Sequence, residues 1–290
     1  MTISQALAQA KRKLIAKQIS SAQLDAEILL SSILKKPREW LLAHDEKQFK
    51  TTEQKKYSIL VARRAKYEPV AYLLGQKDFY GLTLKVSPAV LIPRPETEQL
   101  VDETVKIARQ QTTPGRKPVI LDIGTGSGAI ALALKKTLPK ARILALETSP
   151  KALSLARLNA KKLNLKLDFI KSDLLAKAPV KLLGESILAV NLPYVDKAET
   201  RKFPTEIKAG LKYEPSGAIF ASRHGTAVYE KLFRQIAKLP TGNKPAYLVA
   251  EIGSYHAKKF LALANKYFVQ AEISLKKDLF GRDRFLIVKF

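Results

Sequence analysis

The chain has 290 residues, a formal net charge of +25 and no cysteine, which excludes disulfides and thiolate metal sites. Its three histidines, His44, His224 and His256, are scattered without metal-ligand spacing, so no metal is expected. No apolar run approaches the roughly 20 residues of a membrane span, and the N-terminus turns charged too early for a signal peptide, so a soluble cytoplasmic protein without membrane contact is expected.

Helical periodicity runs over residues 2–75. Ile3, Leu7, Ala10 and Leu14 share one face, and Ser20 or Ser21 is placed to cap a second helix bearing Leu24, Ile28, Leu29 and Ile33. Residues 37–44 predict a short helix with Trp40 and Leu41 inward. Thr51 or Thr52 is placed to cap another, carrying Tyr57, Leu60, Val61 and Arg64. Residues 1–75 therefore predict a small all-α domain. Alternation of Leu82, Leu84 and Val86 around Tyr80-Gly81 predicts a β-hairpin linker within residues 76–92. Pro93-Arg94-Pro95-Glu96-Thr97-Glu98 then opens a helix through Ala108, with proline and acidic residues suited to a first turn.

In residues 93–290, strands are predicted at 119–123, 142–146, 167–170, 186–190, 246–251, 268–274 and 284–290. Helices near 128–138, 150–163, 225–238 and 255–266 alternate with them, and a loop carrying Pro204 and Pro215 follows Asn191. This alternation implies an α/β domain, a mostly parallel seven-stranded sheet with helices on both faces. The last two strands make an antiparallel edge pair.

Ligands of such sheets sit beyond the carboxyl ends of the strands. The first strand there ends in Asp122 and the turn Gly124-Thr125-Gly126-Ser127-Gly128, and the second in Glu147. Glycine permits positive φ and close approach to a ligand. A dinucleotide site is the weaker reading, because the glycine spacing is wrong and Asp122 would face a pyrophosphate badly but suits a cationic amino-acid ligand. Glu147 is placed for ribose hydroxyls. Together these features resemble the S-adenosylmethionine site of class I methyltransferases, whose Rossmann-like sheet the chain is then expected to share. Asp173, after the third strand, is placed to accept from an adenine amino group.

The fourth strand ends in Asn191-Leu192-Pro193-Tyr194, which matches a motif of methyltransferases acting on planar nitrogen. Such a nitrogen is a poor nucleophile because its lone pair is delocalised. Two acceptors, the Asn191 side-chain oxygen and the Leu192 carbonyl, would hold its two N–H groups and stabilise the charge that develops. Pro193 restricts Leu192 to extended backbone, and Tyr194 offers a face to a planar substrate.

With F-Y-G-L-T-L-K-V-S-P-A-V-L-I-P-R-P-E-T-E, L-D-I-G-T-G-S-G-A-I-A-L-A-L, N-L-P-Y-V and Y-E-P-S-G-A-I-F-A, the chain resembles the HemK/PrmC family over nearly its whole length. These enzymes methylate the glutamine in the G-G-Q tip of class I peptide-chain release factors, in translation termination. The resemblance implies S-adenosylmethionine as cofactor and a release factor as partner. It also implies that Asp122, Gly124, Thr125, Gly126, Gly128, Glu147, Asp173 and Asn191 contact the cofactor or target amide. Phe79, Arg94, Pro95 and Thr97 would line the neighbouring pocket, and the helical domain would recognise the substrate. Two departures stand out: Leu192 where the family usually has proline, and Glu147 where aspartate is commoner.

Other readings stay open on sequence alone. N-L-P-Y also occurs in ribosomal RNA adenine dimethylases, which makes an RNA or DNA adenine methylase the rival, although those enzymes carry their helical domain at the C-terminus. A non-catalytic RNA- or ribosome-binding module with a relic fold is the third. The lysine excess fits either a weak electrostatic contact with RNA or the ribosome, or solvated charge in a lysine-rich proteome.

Overall fold

The computed structural model describes residues 1–111 and 117–290. They divide into two compact units, Met1–Gln76 with Lys202–Tyr213, and Lys77–Arg201 with Glu214–Phe290.

The first unit holds helices α1 (Ile3–Ile15), α2 (Ala22–Leu34), α3 (Arg38–Ala43), α4 (Thr51–Arg64) and α5 (Val70–Leu74). Ile3, Leu7, Ala10, Leu14, Leu29, Leu41, Tyr57 and Val61 form its core, as their spacing requires. Leu24 instead faces solvent. The caps also differ from expectation. Lys50, not a threonine, occupies the α4 N-cap, and the Ser21 hydroxyl donates to Asp25 (2.8 Å) instead of accepting from a helix N–H. Residues 202–213, expected within the 93–290 domain, pack in this unit. Their helix Thr205–Leu211 brings Glu206 onto Arg64 and Ser20.

The second unit begins with the hairpin β1 (Gln76–Phe79) and β2 (Leu82–Lys85), then α6 (Thr97–Gln111), β3 (Val119–Ile123), α7 (Ala129–Thr137), β4 (Arg142–Glu147), α8 (Pro150–Lys162), β5 (Asp168–Lys171) and β6 (Ile187–Val190). The segment expected as a loop after Asn191 contains α9, the Thr205–Leu211 helix, and α10 (Ser216–Ile219), each started by a preceding proline. Then follow α11 (Ala227–Ala237), β7 (Tyr247–Glu251), α12 (Ala257–Tyr267), β8 (Glu272–Lys277) and β9 (Asp283–Lys289). The strand expected at 268–274 starts only at Glu272, because Phe268 still caps α12 and Ala271 closes a turn on it.

The sheet order is β5-β4-β3-β6-β7-β9-β8; β9 runs antiparallel to β7 and β8, and the other pairs are parallel. Strand order reverses beside β3, which opens a crevice at the carboxyl ends of β3 and β6. Alternate residues feed two cores. Leu121, Ile123, Leu188 and Val190 pack with Tyr229, Phe233 and Phe260 of α11 and α12, whereas Ile120, Ile187 and Ala189 pack with Leu100, Val101, Ile130 and Ala131 of α6 and α7. Asn159 of α8 fastens the hairpin to the glycine turn, bonding both backbone groups of Lys85 (2.7 and 3.0 Å) and the Ser127 carbonyl (2.9 Å). Among the described residues no helix is long and apolar enough to cross a membrane.

Candidate active site

A cavity of about 450 Å³ opens at the carboxyl ends of β3, β4 and β6, a size typical of small-molecule sites. Its wall includes Gly124, Thr125, Gly126, Glu147, Asp173, Asn191, Leu192, Pro193, Arg94 and Thr97, which the fold draws from widely separated stretches. Five other expected residues stand off the wall: Asp122, Gly128, Phe79, Pro95 and Tyr194.

Asp122 stands behind the turn for a reason of parity. It is an even-numbered residue of β3, so its side chain points to the α6–α7 side and is fully buried. Its Oδ2 accepts from Thr125 Oγ1 (2.6 Å) and from the Ala131 N–H (3.1 Å). The N-cap of α7 is Gly128, which has no side chain to serve that N–H, so Asp122 supplies the acceptor. Gly128 itself is a packing residue. At φ +86° a Cβ would stand 3.0 Å from Leu132 and 3.3 Å from Ala156. Asp122 Oδ1 is buried without a hydrogen-bond partner, and burial pushes the carboxyl up to about 7 against the bonds from Thr125 and Ala131.

That shift has a testable sign. A carboxyl raised from 3.8 to about 7 stabilises the folded protein most below the lower value and loses that contribution as pH rises through the upper one. The ligand-free wild type should therefore lose melting temperature across this interval. Asp122→Asn, which has nothing to ionise, should show a flatter profile, and parallel profiles in thermal scans would refute the buried charge.

Glu147 is held at the cavity edge by two backbone donors, the Ser149 N–H on Oε1 (2.8 Å) and the Gly126 N–H on Oε2 (3.0 Å). Its extra methylene, relative to aspartate, lets the carboxylate reach back to the glycine turn. Each oxygen keeps a lone pair for a hydroxyl donor. Asp173, at the exposed end of the cavity, pairs with Lys231 of α11. Arg94 bonds Glu214 (2.6 Å), whose other oxygen accepts from the Ile92 N–H (3.0 Å). The Pro-Arg-Pro and Tyr-Glu-Pro stretches are thereby tied together. Pro95 lies exposed in the turn before α6, and Phe79 faces inward from the hairpin into the core with Leu100 and Ile130.

The Asn191 amide is the best-defined polar group of the wall. Its Nδ2 donates to Thr97 Oγ1 (2.9 Å) and to Glu251 Oε2 (3.0 Å). Tyr194 turns away from the cavity: its hydroxyl donates to Glu251 Oε1 (3.0 Å), and its ring packs against Gly253. Behind it, Gly225 approaches so closely that a Cβ would stand 2.0 Å from the Tyr194 carbonyl oxygen. The Leu192 N–H donates to the Tyr229 hydroxyl (3.2 Å), which donates onward to the Glu251 carbonyl. The Leu192 side chain covers the glycine turn, where a Cβ on Gly124 would lie 2.9 Å from its Cδ2.

Leu192→Pro keeps the carbonyl but deletes the donor to Tyr229. The expected result is a stability loss of about 1 kcal/mol in denaturant melts with turnover retained. Loss of turnover would mean that the Leu192 side chain itself shapes the site.

Glu251 and Tyr229 escaped the sequence reading. Glu251 is the last residue of an apolar run, and its one signal was position, the carboxyl end of the strand next to β6. The histidines, scattered in sequence, partly converge: His224 and His256 have ring centroids 6.3 Å apart, beside Asp196 (3.1 Å) and Glu199 (2.6 Å) respectively. Among the described residues no group of three His, Cys, Asp or Glu could hold a metal ion.

Comparison with known proteins matches this architecture. Residues 5–75 match the family described as PrmC N-terminal domain, and residues 98–205 match the Methyltransferase small domain. The release factor glutamine methyltransferase of Koribacter versatilis is 36% identical over 236 residues, 81% of each chain. That of Moorella thermoacetica is 35% identical over 287 residues, 98% of this chain and 97% of its own. In fold alone, the N-terminal domain of human METTL16 is similar, with a TM-score of 0.51 at 17% identity over 79% of this chain and 80% of that one. The chain belongs to the release factor glutamine methyltransferase family.

Proposed function

We propose that this protein methylates the side-chain amide nitrogen of the glutamine in the G-G-Q motif of class I peptide-chain release factors, with S-adenosylmethionine as donor. The observation that carries the reading is the Asn191 amide. With both its N–H groups committed to Thr97 and Glu251, Oδ1 is left as the acceptor at the cavity wall.

The residues of the cavity fit the cofactor. Glu147, acceptor-only and nearly buried, suits a ribose diol. The carboxyl of Asp122, buried behind the glycine turn with Oδ1 unpartnered and raised to about 7, is drawn to its ionised form by a cationic amino-acid head in front of it and so favours that head. Asp173 is the acceptor for an exocyclic adenine amine at the outer end, with Lys231 limiting its swing. When bound, S-adenosylmethionine supplies an electrophilic methyl group on a sulfonium.

The protein's part in transfer is positioning. Asn191 Oδ1 and the Leu192 carbonyl each accept one N–H of the target amide, which directs the nitrogen lone pair away from its own carbonyl. The positive charge developing on nitrogen strengthens both bonds, so they stabilise the transition state more than the bound substrate. Pro193 fixes the Leu192 backbone as extended, and the Tyr229 bond holds its N–H. Arg94 and Thr97 border the same wall.

Residues 1–75 serve, in this reading, to hold the body of the release factor, which supplies binding energy remote from a flexible glutamine loop. The charge of +25 favours an acidic partner surface, and association weakens with salt by screening. A cytoplasmic location follows from that partner. The deciding experiment is peptide mass spectrometry of an intact release factor incubated with this enzyme and S-adenosylmethionine. One methyl group on the G-G-Q glutamine is expected; label in ribosomal RNA with none in the factor would favour the adenine methylase.

A further inference from the structure

We infer that Glu251 is a positioning residue for methyl transfer, setting which end of the Asn191 amide faces the target nitrogen. The inference rests on the function proposed for this cavity. A primary amide is nearly symmetric in shape: a half-turn about its last torsion exchanges oxygen for NH2 at little steric cost. With Nδ2 outward, Asn191 would present donors to a substrate nitrogen that itself carries only donors. Turnover therefore depends on whatever selects the orientation.

Glu251 makes that selection. Its carboxylate is an acceptor only, 1% exposed at the end of β7, and sits 3.0 Å from Asn191 Nδ2. The second partner, Thr97 Oγ1, is 2.9 Å from the same nitrogen. Its own proton is spent on Glu251 Oε2 (2.7 Å), so towards Asn191 it too offers only a lone pair. The Tyr194 hydroxyl fills Oε1 at 3.0 Å. Three donors thus converge on one carboxylate, and the amide has a single satisfied orientation, oxygen outward.

The groups facing Glu251 are Glu96 and Thr97 at the start of α6, Tyr194 after β6, Tyr229 from α11 and Arg284 from β9. Burial raises the Glu251 carboxyl above its ordinary value, and bonds from Thr97 and Tyr194 with the field of Arg284 oppose that rise. Protonation would turn Glu251 into a donor and remove the preference. An acid limb in kcat, set by this buried group, is the consequence.

The test uses the full-length enzyme and Glu251→Gln, which keeps the shape but can donate as well as accept. The expected result is a fall in kcat of about 10- to 100-fold, the ratio that one hydrogen bond to a charged group commands. KM for the release factor and affinity for S-adenosylhomocysteine should stay unchanged, and the acid limb of the wild type should vanish. Wild-type kcat with an unchanged acid limb would overturn the inference. Asparagine-selective 15N labelling gives a readout that needs no substrate. The Asn191 side-chain amide should be protected from exchange in the wild type and lose that protection in the variant; equal protection in both would overturn the orienting role. Loss of protection upholds it even where the wild type leaves the release factor unmodified, a result that would instead sink the proposed substrate. If Glu251→Gln does not fold, Thr97→Val, which removes the second acceptor for Asn191 together with the hydroxyl proton given to Glu251, should lower kcat with KM unchanged. No change in kcat there would count against the network.

Discussion

Asn191→Ala is expected to lower kcat by about 10²- to 10³-fold, the usual cost of removing one preorganised transition-state partner, while cofactor affinity changes little. The asymmetry follows from where the side chain points. Asn191 lines the cavity, and because its Nδ2 is committed to Thr97 and Glu251, Oδ1 is the polar atom left for a ligand. Truncation removes one of two acceptors for the target amide and leaves the other, the Leu192 carbonyl, in place because Pro193 and Tyr229 hold that backbone. The ribose and adenine contacts proposed for Glu147 and Asp173 come from β4 and the segment after β5, so calorimetry with S-adenosylhomocysteine should barely register the change. Asn191→Asp should fare no better. It would set a second carboxylate about 3 Å from Glu251 in a buried setting, and like charges that close cannot both ionise. Single-turnover methylation of the release factor measures both variants; substantial turnover by either would rule out the two-acceptor mechanism.

How far the sequence could be read depended on the range of the interaction. Val119–Ile123 with its glycine turn and helix is a local pattern, and so is Asn191-Leu192-Pro193-Tyr194 at a strand end. Both could be placed on elements from spacing alone, and the wall of the cavity carries most of the residues expected there. Direction was harder. Asp122, Gly128, Phe79 and Tyr194 all lie in the right segments, but each turns its side chain, or the space where one would be, away from the cavity. Strand parity decides this for Asp122, contact with Ala156 for Gly128, the core beneath the hairpin for Phe79 and the acceptor Glu251 for Tyr194. Wholly long-range links left no local trace. Glu251 lies 60 residues from Asn191 and Glu214 lies 120 from Arg94, and neither separation has a period to detect. The same limit hid residues 202–213, whose place in the first unit depends on a side chain 142 positions earlier.

Arg64→Ala is expected to destabilise the helical unit by about 3–5 kcal/mol, the cost of stranding buried charge. Arg64 is 6% exposed and bridges two acids, with Nε 2.6 Å from Asp25 Oδ2 and Nη2 on Glu206. The Ser20 N–H and hydroxyl complete the shell of Glu206 at 3.0 Å each. Burial alone would raise the Glu206 carboxyl, but the Ser20 donors and the Arg64 guanidinium outweigh it and hold it below the ordinary value. Its contribution is therefore present near neutrality and lost as pH falls through that lowered value. In the alanine variant the remaining acids face each other without a cation, so adding Asp25→Asn and Glu206→Gln should recover part of the loss. Denaturant melts of the single and triple variants measure this, and a single variant within about 1 kcal/mol of wild type would mean the pair is solvent-screened. The same geometry bears on how the helical unit should be tested for substrate binding. Removing residues 1–76 would take away Ser20, Asp25 and Arg64 but leave Glu206 and its helix in the remaining chain with their partners gone. Lost methylation in such a truncation would combine missing substrate contacts with a disordered segment. Arg64→Ala separates the two: it loosens residues 202–213 while leaving the surface of α1–α4 in the protein. If methylation of the release factor survives once stability is restored by the triple variant, the helical surface rather than this buried anchor does the recognition.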